Sequence, residues 1–111
     1  MSRHDPFTTL RQMLACSQEA VALVANRTRE ALDEDRLLNL ALVRLLEIIG
    51  EAANRVPEDV QMQYHEIPWM QMIGLRNRLI HGYDQVDFDI LWMILQQDLP
   101  ELIKKLENIL N

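Results

Sequence analysis

Glycine, proline and cysteine are scarce in this chain: three, four and one among 111 residues. Gly50, Gly74 and Gly82 stand alone, which excludes a glycine-rich loop cradling a phosphate. A single cysteine, Cys16, cannot form an intramolecular disulfide, and its apolar-periodic surroundings make it a small packing residue. With no closely spaced histidine pair either, thiolate-rich and two-histidine zinc sites have no support. Glu-x-x-His, the repeated motif of carboxylate-bridged di-iron bundles, does not occur. No cofactor is therefore expected. Basic residues are outnumbered, 11 against 17, for a formal net charge of −6. That balance excludes a protein that coats nucleic acid non-specifically, since such binding rests on many neutralised phosphates. A local basic cleft remains open. The opening residues lack the apolar core of a signal peptide, and no run approaches the roughly 18 apolar residues of a membrane span. A soluble, cytoplasmic protein with no membrane association is expected.

What is present is a globular balance of 49% apolar and 25% charged residues. The length suits a single domain over residues 1–111. A chain this small buries a modest share of its surface, so oligomerisation would be a natural source of further burial. Asp5-Pro6 reads as an N-cap followed by proline at the first helical position. Phe7, Leu10, Met13, Leu14, Ala20, Val21 and Val24 then recur at helical spacing and predict a first helix to about residue 29. The acidic cluster Asp33-Glu34-Asp35 suits the start of a second helix over about 34–55. A short third helix follows from Pro57 to about Tyr64. Pro68 opens a fourth, carrying Trp69, Met72, Ile73, Leu79 and Ile80, which Gly82 is placed to stop. Asp87 can cap a last helix, which Pro100 should break or kink. No segment alternates with period two, so no strand is predicted. The fold class is all-α, a bundle of about five helices.

The second helix is unusually apolar. Ten of the thirteen residues from Leu37 to Ile49 are apolar. At about 100° per residue, Arg44, Glu47, Glu51, Asn54 and Arg55 share one stripe, and the apolar arc is wider than one core face requires. Such a helix is either central in the bundle or shared with a partner subunit. Glu47 and Glu51 could act as paired carboxylates, or be a solvated face with Glu51 pairing to Arg55.

Chemistry concentrates in Arg76-Asn77-Arg78-Leu79-Ile80-His81-Gly82-Tyr83. Asn77 and His81 are four apart and would share a helix face, with Arg78 three before His81. Arg76 lies about 100° round from Asn77, reaching the same cleft through its length or from a neighbouring subunit. Gly82 would let the backbone turn and present Tyr83 beside His81. An imidazole exchanges protons at cellular pH, and guanidinium groups match phosphate geometry. The set suits phosphodiester chemistry; the plainer alternative is a polar helix end with a capping glycine. His4, near a terminus, and His65, in a connector, read as solvated.

The same segment resembles the Arg-x-x-x-x-His-x-Tyr motif of the HEPN superfamily, and specifically of the HepT-like toxins. The resemblance runs over about residues 35–110. It takes in Leu46-Glu47-Ile48-Ile49-Gly50-Glu51-Ala52, Ile67-Pro68-Trp69, Val86 to Trp92 and Asp98-Leu99-Pro100-Glu101-Leu102. It implies a helical bundle that pairs as a homodimer, bringing two motifs into one composite cleft. It also implies a metal-independent endoribonuclease toxin, neutralised by an MNT-type nucleotidyltransferase antitoxin that transfers AMP to the motif tyrosine. Arg76 and His81 then fill the catalytic places, and Asn77 and Arg78 are supporting polar residues. Tyr83 would be both phosphate ligand and AMP acceptor. Glu51 is the candidate to hold Arg76. RNA, tRNA or mRNA, is the implied substrate. The competing expectation is a non-catalytic helical dimer that only binds a nucleotidyltransferase; a nucleotide-binding regulator would need a pocket outside this same segment.

Overall fold

The computed structural model describes residues 5–82 and 85–111. Its axis is a twenty-residue helix, Arg36–Arg55, third in chain order (α3). Asp35 starts it, its side chain accepting the Leu38 N–H at 3.0 Å. Val56 and Pro57 end it. Gln61 from the next helix donates to the carbonyls of Ala53 and Val56 at 3.2 and 3.1 Å, satisfying acceptors that a helix end leaves open. Leu38, Leu42, Leu45, Leu46 and Ile49 of α3 are buried.

Against α3 lies α1, Pro6–Leu23, with Asp5 as its cap and Leu10, Met13 and Ala20 inward. The buried Ser17 hydroxyl donates to the Met13 carbonyl at 2.7 Å, so no polar atom is stranded there. Burial, and secondarily the nearby Glu19, raise the Cys16 thiol above its ordinary pKa, in keeping with a packing role. α1 stops at Leu23 rather than near residue 29, because Asn26 takes a left-handed φ of 64° that no helix tolerates. A four-residue turn of helix, α2 (Ala31–Glu34), follows. Arg29 ties this corner to the far end of the chain, donating to Asp33 and Asp89 at 2.8 Å each and lying over the Phe88 ring.

After α3 come α4 (Glu58–Gln63), α5 (Trp69–Ile73) and α6 (Leu75–Leu79). The Trp69 indole N–H is shared between the carbonyls of Gln61 and Tyr64, which closes the α4–α5 corner. The predicted fourth helix is thus broken at Gly74, and it ends at Leu79, three residues before Gly82. Ile80–His81 (β1) then pairs antiparallel with Gln85–Val86 (β2), a ladder that period-two reading could not see in two-residue strands. Gly82 serves that turn with a φ of +33°.

The last helical run is continuous. α7 (Phe88–Met93) passes through a π-helical turn, Ile94–Asp98, into α8 (Leu99–Leu110). Pro100 does not break it: the widened turn just upstream absorbs the missing N–H and the ring's bulk. Leu91, Leu95 and Leu99, all buried, would drift about 80° around a regular helix; the wide turn lets all three face the core.

One contact sets the spacing of the whole. A Cβ on Gly50 would stand 2.9 Å from the Met72 carbonyl oxygen, so the α3 and α5 backbones nearly touch. Gly50→Ala gains about 1 kcal/mol of helix propensity but forces overpacking worth about 1–3 kcal/mol. A lowered midpoint in denaturant is expected; an unchanged or raised midpoint would show that α5 slides freely. At the other end, Asp87 caps α7 by accepting the Ile90 N–H at 3.1 Å. Asp87→Asn should melt close to the parent chain, whereas Asp87→Ala should lose about 1 kcal/mol, read from the same unfolding curves.

Candidate functional site

The short helix α6 carries Arg76 and Asn77 on the side facing α3. They line a cleft of about 240 Å³ with Leu46, Glu47, Gly50, Glu51, Asn54 and Ile73. The cleft exists because Gly50 lets the two backbones close up at its base while longer side chains on both elements stand along its rim. Arg76 is half-exposed, and its Nε donates to Glu47 Oε2 at 2.9 Å.

Glu47, not Glu51, therefore holds Arg76. Glu51 faces Arg44 at 3.3 Å, and Arg44 lies 3.9 Å from Glu47. The four side chains form an alternating series, Glu51, Arg44, Glu47, Arg76, along one edge of the cleft. The expected Glu51–Arg55 pair is not made, because Arg55 reaches across to α1 and donates to Gln12 at 3.0 Å. Exposed pairs of this kind contribute little to stability; their consequence is orientation.

His81 stands apart from Asn77. Since α6 ends at Leu79 and Ile80 is extended, the four-residue spacing does not put His81 on the Asn77 face. The imidazole instead lines a shallower recess of about 170 Å³ with Gln85, Val86 and Asp87. Its Nε2 is 3.6 Å from Asp87 Oδ2, while the other oxygen of the same carboxylate caps α7. The Asp87 N–H also donates to the Leu79 carbonyl at 2.7 Å, which fastens the cap beside the end of α6. One chain thus presents Arg76 and His81 in two separate recesses.

Arg78 points elsewhere again. It is partly buried and donates to Asp98 in the π turn at 3.1 Å, where Gln71 also reaches at 3.4 Å. Tyr83, the expected AMP acceptor, lies outside the described residues. Glu47, Asp87 and Asp98 are the partners that sequence reading did not assign. Each sits 6 to 29 positions from the motif residue it faces, so no local spacing could have paired them. Among the described residues no helix is long and apolar enough to cross a membrane.

Residues 13–109 match the family described as HepT-like, ribonuclease HepT-like, so the match spans the entire motif. A probable ribonuclease HepT of Thermococcus cleftensis is 41% identical over 95 residues, covering 82% of this chain and 86% of that protein. A putative RNase of Methanocaldococcus jannaschii is 32% identical over 107 residues, 96% of this chain and 98% of its own. Another putative RNase, from Caldanaerobacter subterraneus, is 39% identical over 77 residues and 69% of each chain. No solved structure matches. With the helical bundle, the Arg76–His81 spacing and a family match over residues 13–109, this chain belongs to the ribonuclease HepT-like family.

Proposed function

We propose that this protein is a cytoplasmic endoribonuclease acting as the toxin of a toxin–antitoxin pair, with Arg76 and His81 as its catalytic residues. The observation that carries the reading is the family match across residues 13–109, which contains the intact Arg76-to-Tyr83 segment. In this mechanism the 2′-hydroxyl of RNA attacks the adjacent phosphorus and the 5′-oxygen of the next nucleotide leaves. His81 takes the hydroxyl proton or supplies one to the leaving oxygen, as an imidazole near neutral pH can do. Arg76 stabilises the charge that accumulates on the phosphorane oxygens. Asn77, on the same cleft, orients the phosphate. Neither step needs a metal.

A homodimer completes the site in this reading. Two features support it: Arg76 and His81 face separate recesses of one chain, and the apolar arc of α3 is not fully used by the bundle. Leu37 and Leu40 remain 79% and 49% exposed on the stripe that leads toward Arg44 and the Arg76 cleft. A second copy laid along that stripe would cover them and bring its own motif to the cleft.

Arg76→Ala and His81→Ala should each cut RNA cleavage by about 10² to 10⁴, with melting unchanged, and the parent activity should survive EDTA. Activity lost to chelator and restored by a divalent ion would overturn the mechanism. Mixing the two inactive variants under exchange conditions should restore part of the activity if the cleft is shared between subunits. No recovery in a mixture that forms mixed dimers would place both residues in one subunit's site.

Neutralisation is proposed to proceed through an MNT-type nucleotidyltransferase that transfers AMP from ATP to the Tyr83 hydroxyl, releasing pyrophosphate. The added phosphate and adenosine would repel and block RNA at the motif. Incubation with such a partner and ATP should add AMP mass at Tyr83 and silence the RNase, and Tyr83→Phe should refuse the label. AMP found only on Tyr64, or inhibition with no added mass, would mean that the partner acts otherwise.

A further inference from the structure

The Arg76 guanidinium is held by one edge. Its Nε donates to Glu47 Oε2 at 2.9 Å, and Glu47 is itself three-quarters covered, anchored on the central helix α3. That contact spends the inner Nε–H, and among the described residues no other hydrogen bond or ion pair engages the two terminal Nη groups, which face the cleft. Glu47 also has Arg44 on its other side, at 3.9 Å, so the carboxylate is flanked by cations. A free arginine side chain loses much rotamer freedom on binding a phosphate, and pre-organising its planar fork reduces that loss.

We propose that Glu47 is the positioning residue of the site: it fixes the Arg76 guanidinium so that its Nη edge, rather than its Nε side, meets the phosphate. This rests on the assignment of Arg76 as the phosphate-stabilising residue. Glu47 touches no reacting atom; it acts through Arg76. The effect has a sign that distinguishes it from two other roles. A positioning carboxylate raises turnover while its own negative charge weakens ground-state binding of a polyanion. A carboxylate that merely masks Arg76 would lower turnover and binding together, and a purely structural one would show in melting.

The test compares the parent chain with Glu47→Ala, Glu47→Gln and Arg76→Ala on a labelled single-stranded RNA that the parent cleaves. Glu47→Ala should lose about 10- to 100-fold in kcat, an orientation effect of the size misplacement can cause, with KM equal or lower and melting unchanged. Glu47→Gln keeps an oxygen acceptor for Nε–H and should recover most of the loss. The Arg76 Nε–H proton resonance should be protected from exchange in the parent chain and in Glu47→Gln, and unprotected in Glu47→Ala. Glu47→Ala with parental or higher kcat, while Arg76→Ala is inactive, would overturn the positioning role and leave the ribonuclease reading standing. An Arg76→Ala variant as active as the parent would remove the reading and this inference together. An unprotected Nε–H in the parent chain would overturn the inference alone.

Discussion

The near-contact of two backbones at Gly50 is the constraint on which the rest of the molecule depends. Helices usually meet through side chains that keep their axes about 8–10 Å apart; here α3 presents a hydrogen where α5 presents a carbonyl oxygen. The approach seats Met72 and Leu75 in the core, and α6 inherits its position from them. Once α6 is so placed, a glutamate one turn before Gly50 on α3 is within reach of Arg76. Packing and site geometry are in this sense one arrangement: the glycine that closes the helix pair also sets the depth of the cleft.

Charge is distributed as economically as space. Arg44, Arg76 and Arg78 each face a carboxylate, and His81 faces Asp87. A chain with a formal net charge of −6 has no general attraction for a polyanion, and among the described residues the motif arginines Arg76 and Arg78 are each paired with a carboxylate. Affinity in the proposed reaction must come from a few oriented contacts.

Much of this was legible in the amino-acid order, and the gaps have physical causes. The central helix showed itself through ten apolar residues in thirteen and a capping aspartate, both local signals. The Arg76-to-Tyr83 segment stood out as a cluster of polar chemistry on a chain poor in basic groups. Helix ends were less readable: Asn26 and Gly74 interrupt apolar patterns that continue on either side, and periodicity sees only the pattern. The placement of His81 failed for the same reason. A spacing of four means one face only while the helix lasts, and α6 ends two residues too soon. The sequence offers Glu47 as a carboxylate but not as the partner of Arg76, because which of two glutamates one turn apart reaches a neighbouring helix is decided by the packing distance between the helices. Pro100 breaks or kinks a regular helix, but the turn before it can widen, and periodicity carries no sign of that.

That widened turn makes the C-terminal fifth of the chain a matter of phase. With its extra residue, the run from Phe88 to Leu110 keeps Leu91, Leu95 and Leu99 on one side and delivers Asp98 to Arg78. α7 and α8 are therefore two helices whose faces are offset in phase, with the length of the joint setting the offset. The joint has no slack. Adding or removing one residue between Met93 and Pro100 turns one half by about 100°, so insertions that a surface loop would absorb here reach the core, the Arg78 tie and the Asp87 cap beside His81 at once.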